Sequence, residues 1–165
     1  MARILIAYAT KNGSTTGIAE AISEELRSSG NTAEVAEMNR VKQLDGYDAV
    51  ILGAPLYCGK PLDLEKFTGK FRDALAKVPV AAFAVGISPV SKDEKQVSQA
   101  MKLLRESLGS LEPVAETVFA GKLDPARINY NTRKLMSLGN LPTGDFRDWT
   151  AIAAWAEEVA EKIKS

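Results

Sequence analysis

Short apolar runs alternate with amphipathic stretches along most of the chain. The first run, Arg3 to Tyr8, is rich in branched aliphatic residues and predicts a buried strand. After it, Ile18, Ile22 and Leu26 recur at a spacing of four, which places them on one face of a helix. Gly30 is typical of the end of such a helix, because glycine adopts the left-handed backbone that closes it.

The same alternation continues through the rest of the sequence. Four further strands are predicted at residues 32–38, 47–53, 78–86 and 114–121. Apolar residues at helical spacing predict a short helical connection through Val41 and Leu44, a helix through Leu64, Phe67, Phe71 and Leu75, another through Val97, Met101, Leu104 and Leu108, and a last one that buries Ile152, Trp155, Val159 and Ile163. We interpret both tryptophans, Trp149 and Trp155, as core residues.

This order of elements predicts an α/β fold, a three-layer sandwich with a five-stranded parallel sheet of order 2-1-3-4-5. Residues 1–165 are expected to form a single domain, because no repeat, low-complexity run or linker divides them. The strand order reverses between the first and third strands. A ligand is therefore expected beyond the carboxyl ends of those strands.

The T-K-N-G-S-T turn, residues 10–15, joins the first strand to the first helix. The free N–H groups and the dipole at a helix N-terminus favour an anion, most often a phosphate. Gly13 allows close approach of the backbone, and phosphate oxygens can bond to the side chains of Thr10, Asn12, Ser14 and Thr15. The turn therefore predicts a phosphate site. The alternative is that a hydroxyl within residues 14–16 only caps the helix.

Other phosphate-binding loops do not fit the turn. A nucleotide-hydrolysing loop needs a lysine after its last glycine, whereas Lys11 precedes Gly13, and the three glycines of a dinucleotide loop are absent. A receiver-type phosphoacceptor needs acidic residues where the first and third strands end, and none stands there. A cysteine-based phosphatase loop needs an arginine six residues after Cys58, at the position of Leu64.

The amino-acid composition argues against several classes of partner and of catalytic chemistry. The 21 basic and 21 acidic residues cancel, which argues against nucleic acid as a partner and against a membrane-surface role. One cysteine and no histidine argue against a disulfide framework, a metal site or a histidine-based triad, so we predict no metal-binding and no catalytic residue. No signal peptide or membrane-spanning segment is recognised, and a cytoplasmic location is expected.

Two more loops are expected beside the phosphate turn. Residues 53–61 combine an aromatic residue, small apolar residues and two glycines, which suits the edge and face of a flat ring. Residues 86–89 can close over the same ring.

The T-K-N-G-S-T turn, the G-A-P-L-Y-C-G-K-P loop and the F-A-G-K-L segment together resemble the flavodoxin-like family over essentially the whole chain. The resemblance implies noncovalent FMN, with its phosphate on the turn and its ring between the two loops. Lys11 departs from the neutral residue of short-chain flavodoxins, and either faces solvent or adds charge near the phosphate. The implied cofactor-binding residues are Thr10, Lys11, Asn12, Gly13, Ser14, Thr15, Pro55, Leu56, Tyr57, Cys58, Gly59, Gly86, Ile87 and Ser88.

The loop around Cys58 carries three more predictions. A peptide bond within residues 57–59 is expected to turn over when the flavin is reduced and so to stabilise the semiquinone, the alternative being a rigid turn at Gly59. Tyr57 either stacks on the ring or only covers the loop. Cys58 is interpreted as space-filling, because no histidine is present to activate it.

Residues 122–145 are long for a connection in this fold. With the D-F-R-D-W segment that follows, they resemble the insert of one branch of the family, the menaquinone-dependent protoporphyrinogen oxidases, although this insert is shorter and poorer in aromatic and basic residues. The alternative is a plain surface loop.

Two function classes follow from the resemblance. The first is an electron carrier that cycles between oxidised, semiquinone and reduced flavin and meets redox partner proteins or a quinone-type small molecule. The second is an FMN-dependent oxidoreductase acting on a quinone or porphyrinogen. The neutral charge weakens the first, because carrier flavodoxins are strongly acidic, and the lack of an acid–base group beside the ring weakens the second. A module that has lost its flavin fits poorly with an intact phosphate turn.

Overall fold

The structure is a computed structural model that describes residues 2–10, 13–57, 60–86, 94–123, 144–145 and 147–164. For a few of these residues only the backbone is described, namely Ser14, Tyr57, Glu94, Gln96, Lys122, Leu123, Gly144 and Asp145.

Strands and helices alternate in the order that the apolar pattern predicts. The strands are β1 Arg3–Tyr8, β2 Thr32–Glu37, β3 Ala49–Tyr57, β4 Lys60–Pro61, β5 Val80–Gly86, β6 Ala115–Ala120, β7 Lys122–Leu123 and β8 Gly144–Asp145. The helices are α1 Ser14–Ser28, α2 Leu64–Lys70, α3 Arg72–Leu75, α4 Glu94–Leu108 and α5 Trp149–Lys164, with one 3₁₀ turn at Met38–Arg40.

The five long strands form a parallel sheet in the order β2-β1-β3-β5-β6. Among these five strands that order is 2-1-3-4-5, which confirms the predicted fold class. Strand β4 adds an antiparallel partner to the end of β3. Strands β7 and β8 pair antiparallel outside the main sheet, so the two ends of the long connection between them lie side by side. Residues 124–143, between those ends, lie outside the described part.

The two faces of the sheet carry separate cores. One core lies under α1 and α5, where the rings of Phe83, Phe119 and Trp155 pack with their centres 5.7, 5.8 and 5.6 Å apart. The other lies under α2 and α4, where small strand residues such as Ala82 and Ala84 meet the larger side chains of Leu64, Phe67, Leu104 and Leu108. Both helical layers of the predicted sandwich are therefore present.

The predicted helix faces are largely confirmed. Ile18, Ile22 and Leu26 of α1 are fully buried, as are Ile152 and Val159 of α5. In the same helix Trp155 is buried and Ile163 is half-buried against the core.

Trp149 contradicts the prediction that both tryptophans are core residues, because 46% of it is exposed. It lies six residues before Trp155. At about 100° a residue, that separation turns its side chain about 240° away from the buried face.

Three local predictions are wrong. The connection through Val41 and Leu44 is irregular, although both side chains are buried in the second core, because burial at helical spacing does not require a helix. The helix predicted through Leu75 is split into α2 and α3 at Phe71, whose φ of −113° is not helical. The third strand extends past Gly53 to Tyr57.

Candidate cofactor-binding site

Helix α1 begins without a side-chain cap. Its N-cap residue is Gly13, which has a φ of 86° and offers no side chain, and the first turn contains no acidic residue. The hydroxyl residues 14–16 therefore lie inside the helix, which contradicts the interpretation that one of them is the N-cap. The N–H groups and positive dipole of this helix end remain open to an anion.

Thr15, in the first turn of α1, holds a buried hydroxyl with no partner in the described part of the chain. The side chain is fully inaccessible to solvent. Leaving such a hydroxyl unpaired costs about 1–3 kcal/mol, so an oxygen-rich ligand that bonded to it would remove a real penalty. The hydroxyl oxygen of Thr10 accepts a hydrogen bond from the N–H of Gly13 at 2.9 Å, which joins the end of β1 to the start of α1.

Two hydrogen bonds join neighbouring strand ends at the carboxyl edge of the sheet. The N–H of Ala9 donates to the carbonyl oxygen of Gly53 at 2.9 Å, which joins the start of the phosphate turn to β3. The N–H of Gly121 donates to Gly86 at 3.1 Å, which joins the end of β5 to the end of β6. Gly53 has no room for a side chain, because the ring of Phe83 lies against its Cα.

The segment predicted as a ring-binding loop starts as a hairpin. Leu56 pairs with Pro61 and Tyr57 with Lys60, while the N–H of Leu62 donates to Pro55 at 2.9 Å. A proline is tolerated in β3 because the neighbouring strand β1 ends opposite Gly53, before Pro55. The prediction that residues 55–57 belong to a loop is therefore wrong.

Leu56 and Gly86, predicted to contact one ring from two loops, lie together. The Cδ1 of Leu56 is 3.3 Å from the position that a Cβ on Gly86 would take. A glycine at the end of β5 thus leaves room for Leu56. The two residues form a small apolar surface at the carboxyl edge of the sheet, as a flat ring would require.

Comparison with known proteins decides the family. Residues 5–150 match the family described as "Flavodoxin domain". This chain belongs to the flavodoxin family. The prediction of FMN as the cofactor is confirmed at the level of this family.

Individual solved structures agree with this chain in fold. The crystal structure of oxidised Flavodoxin 2 from Bacillus cereus has a TM-score of 0.61 at 24% identity, covering 98% of this chain and 99% of that one. A flavodoxin from the domain Archaea has a TM-score of 0.58 at 20% identity and covers 99% of both chains. In sequence, this chain is 28% identical over 172 aligned residues to protoporphyrinogen IX dehydrogenase [quinone] of Escherichia coli strain K12, covering 96% of this chain and 94% of that protein.

Part of the predicted site lies outside the described residues. This applies to Lys11, Asn12, Cys58, Gly59, Ile87 and Ser88, and for Ser14 and Tyr57 only the backbone is described. The peptide turnover, the stacking of Tyr57 and the space-filling role of Cys58 therefore stay predictions.

One charged residue that lies beside the start of α1 was not predicted from the sequence. Arg147 lies against the first turns of α1, with its Nη1 2.6 Å from the position that a Cβ on Gly17 would take. Its guanidinium also stacks over the ring of Trp149, 4.7 Å from the ring centre. The signal in the sequence was Gly17, because a glycine inside a helix is unfavourable by about 1 kcal/mol relative to alanine.

The resolved pKa shifts belong to groups away from this site. A hydrogen bond from the Tyr47 hydroxyl, followed by the pairing with Arg3, lowers the pKa of Glu34, and burial raises the pKa of Tyr47. A hydrogen bond with Glu157 raises the pKa of Glu25. None of the helices in the described ranges is both long and apolar enough to cross a membrane.

Proposed function

We propose that residues 1–165 act as one FMN-binding, electron-transferring flavodoxin domain. The observation that carries the proposal is the buried, unpartnered hydroxyl of Thr15 in the uncapped first turn of α1. In a chain of the flavodoxin family, these two features fit the phosphate of FMN better than they fit a closed helix end.

The chain's own residues would bind and orient the cofactor. The first turn of α1 and the hydroxyl of Thr15 would hold the phosphate, and Thr10 would keep the turn closed through its bond with Gly13. Leu56, held against Gly86, would shield one side of the ring from water. FMN, when bound, supplies the capacity to accept and release electrons singly or in pairs.

We propose redox proteins as partners, docking at the exposed edge of the flavin, in the cytoplasm. A quinone-type small molecule is the other candidate partner, supported by the name of the Escherichia coli relative.

A second function, an FMN-dependent oxidoreductase acting on a quinone or porphyrinogen, is favoured by two observations. The relative named protoporphyrinogen IX dehydrogenase [quinone] matches this chain over 96% of its length. The pairing of β7 with β8 also holds together the two ends of the long connection, which resembles the insert of that branch of the family.

A visible spectrum of the purified protein during stepwise reduction tests the proposal. We expect flavin absorbance and uptake of the two electrons in separable steps. A preparation that stays colourless after addition of excess FMN would overturn the proposed function. Rapid turnover with a quinone, lost on deletion of residues 129–139, would instead establish the second function.

A further inference from the structure

Arg147 packs against a bare stretch of helix backbone together with an aromatic ring. Its guanidinium lies over the ring of Trp149, and both the guanidinium and the edge of that ring lie against Gly17 of α1. Because the ideal Cβ position on Gly17 is only 2.6 Å from Nη1, an alanine there would push the guanidinium away. The flexible tip of Arg147, and not the backbone of α1, would move.

The place of this guanidinium relative to the phosphate turn follows from helix geometry. Gly17 is four residues after Gly13, which is about one turn and about 6 Å along the helix axis. The two glycines therefore lie on the same side of α1, with the guanidinium packed against the second. Helices α1 and α5 share one core, and both begin at the carboxyl edge of the sheet.

The first turn of α1 consists of small and hydroxyl residues and carries no acidic side chain that would repel a phosphate. A phosphate monoester carries a charge of about −1.5 to −2 at neutral pH. A positive and a negative charge about one helical turn apart at a partly exposed site attract each other. This attraction is strong enough to lower the dissociation constant of the negatively charged ligand measurably. The planar guanidinium can stack on an indole and still direct N–H groups elsewhere, which an ammonium group cannot do as well.

We propose that Arg147 determines specificity for the phosphorylated flavin. Its guanidinium packs against the backbone at Gly17, stacks on Trp149 and places a positive charge beside the phosphate turn. This charge favours the binding of FMN over that of riboflavin. This inference rests on the proposed function. It explains why a glycine is kept inside α1, where alanine would give a more stable helix.

The alternative is that Arg147 only attaches the start of α5 to α1. A purely structural role would affect riboflavin and FMN alike, because both share the same ring. A role in phosphate recognition would affect FMN alone.

The experiment compares ligand-free wild type, R147Q, R147K and G17A. Dissociation constants for FMN and riboflavin are measured by quenching of flavin fluorescence at low and high salt, and the melting temperature of each ligand-free variant is recorded. The matched control is R105Q, which removes an exposed arginine paired with Glu116 on the other helical layer. We expect R147Q to weaken FMN binding about tenfold and to reduce its salt dependence, with riboflavin binding unchanged. R147K should lie between R147Q and wild type, and R105Q should match wild type.

G17A provides the independent arm if R147Q does not fold. It should lower the preference for FMN over riboflavin while the melting temperature of the ligand-free protein stays equal or rises. Equal losses for both flavins in R147Q, or an unchanged preference in both R147Q and G17A, would overturn the inference. A wild-type protein that binds neither flavin would overturn the proposed function, and the inference with it.

Discussion

The polar groups at the two edges of the sheet differ in whether they are paired with other groups of the protein. At the amino edge, the guanidinium of Arg3 lies 3.2 Å from Glu34 and stacks over Tyr47, while the hydroxyl of Tyr47 donates to Glu34. The backbone N–H of Arg3 donates to Asp48 at 2.8 Å. At the carboxyl edge, α1 begins without a cap, and the buried hydroxyl of Thr15 finds no partner within the described ranges.

This difference separates what stabilises the fold from what serves a ligand. An unpaired buried hydroxyl is a penalty in the ligand-free protein, so its presence beside an open helix end supports the proposal that a bound molecule completes the site. The amino edge needs no such molecule, because its side chains bond to one another. Variants at the two edges should therefore differ in which property they change.

Replacing Thr15 with valine should have the largest effect, and it should act on binding. Valine keeps the shape but removes the hydroxyl, and a hydrogen bond to a charged phosphate is worth about 1.5–3 kcal/mol, so FMN should bind about 10- to 100-fold more weakly. The free energy of unfolding of the ligand-free protein should stay equal or rise. Fluorescence titration and urea unfolding measure the two quantities.

Thr68 is the matched control for Thr15. It is also buried, but its hydroxyl lies 3.1 Å from the carbonyl oxygen of Glu65 and 3.0 Å from that of Ser107. Thr68→Val should reduce the free energy of unfolding by about 1–2 kcal/mol and leave FMN affinity unchanged. If Thr15→Val destabilised the ligand-free protein as much as Thr68→Val does, the contrast between paired and unpaired hydroxyls would fail.

Asn31→Ala should act on stability at the amino edge. The side chain accepts a hydrogen bond from the N–H of Ala2 at 3.1 Å and donates one to the carbonyl oxygen of Leu26 at 3.2 Å, which ties the end of α1 to the start of β1. Its loss should cost about 1 kcal/mol in urea unfolding. A change in FMN affinity beyond experimental error would show that the two edges are coupled.

Glu34→Gln should have the smallest effect, and the effect should depend on pH. The pKa of Glu34 is lowered in the folded protein, first by the hydrogen bond from Tyr47 and then by Arg3. The stability that this ionised carboxylate contributes is therefore present above the ordinary glutamate pKa of about 4.3 and is lost as the pH falls through the lower, folded-state value.

Because both partners of the ion pair are about half exposed, the loss in Glu34→Gln at neutral pH should stay below about 1 kcal/mol. The difference in stability between wild type and variant should shrink on acidification. Parallel pH profiles in thermal unfolding would contradict the assignment of the lowered pKa.

The fold was predictable where local pattern decides it. The run from Arg3 to Tyr8 is a strand with the predicted bounds, and Ile18, Ile22 and Leu26 line the buried face of α1, because each depends on a short-range period. The extension of β3 through Pro55 was not predictable in this way, since it depends on where the neighbouring strand β1 ends.

In the candidate site, too, some features follow from the local sequence and others depend on how distant elements pack. The position of the turn before α1 was readable from its glycine and hydroxyl residues, and α1 starts at Ser14 as expected. The binding of a phosphate there stays a prediction. The place of Arg147 was not readable, because the contact with Gly17 joins residues 130 positions apart through the packing of α5 on α1. The exposure of Trp149 likewise depends on that packing and on the stacked guanidinium.

The most direct test of an anion seated in the first turn of α1 is the ³¹P resonance of FMN bound to the protein, followed as a function of pH. Free FMN should titrate near the second phosphate pKa of about 6. Because N–H donors, the helix dipole and a nearby arginine favour the dianion, we expect the bound resonance to stay at its dianionic position well below that pH. A bound phosphate that titrates like the free one would contradict the account.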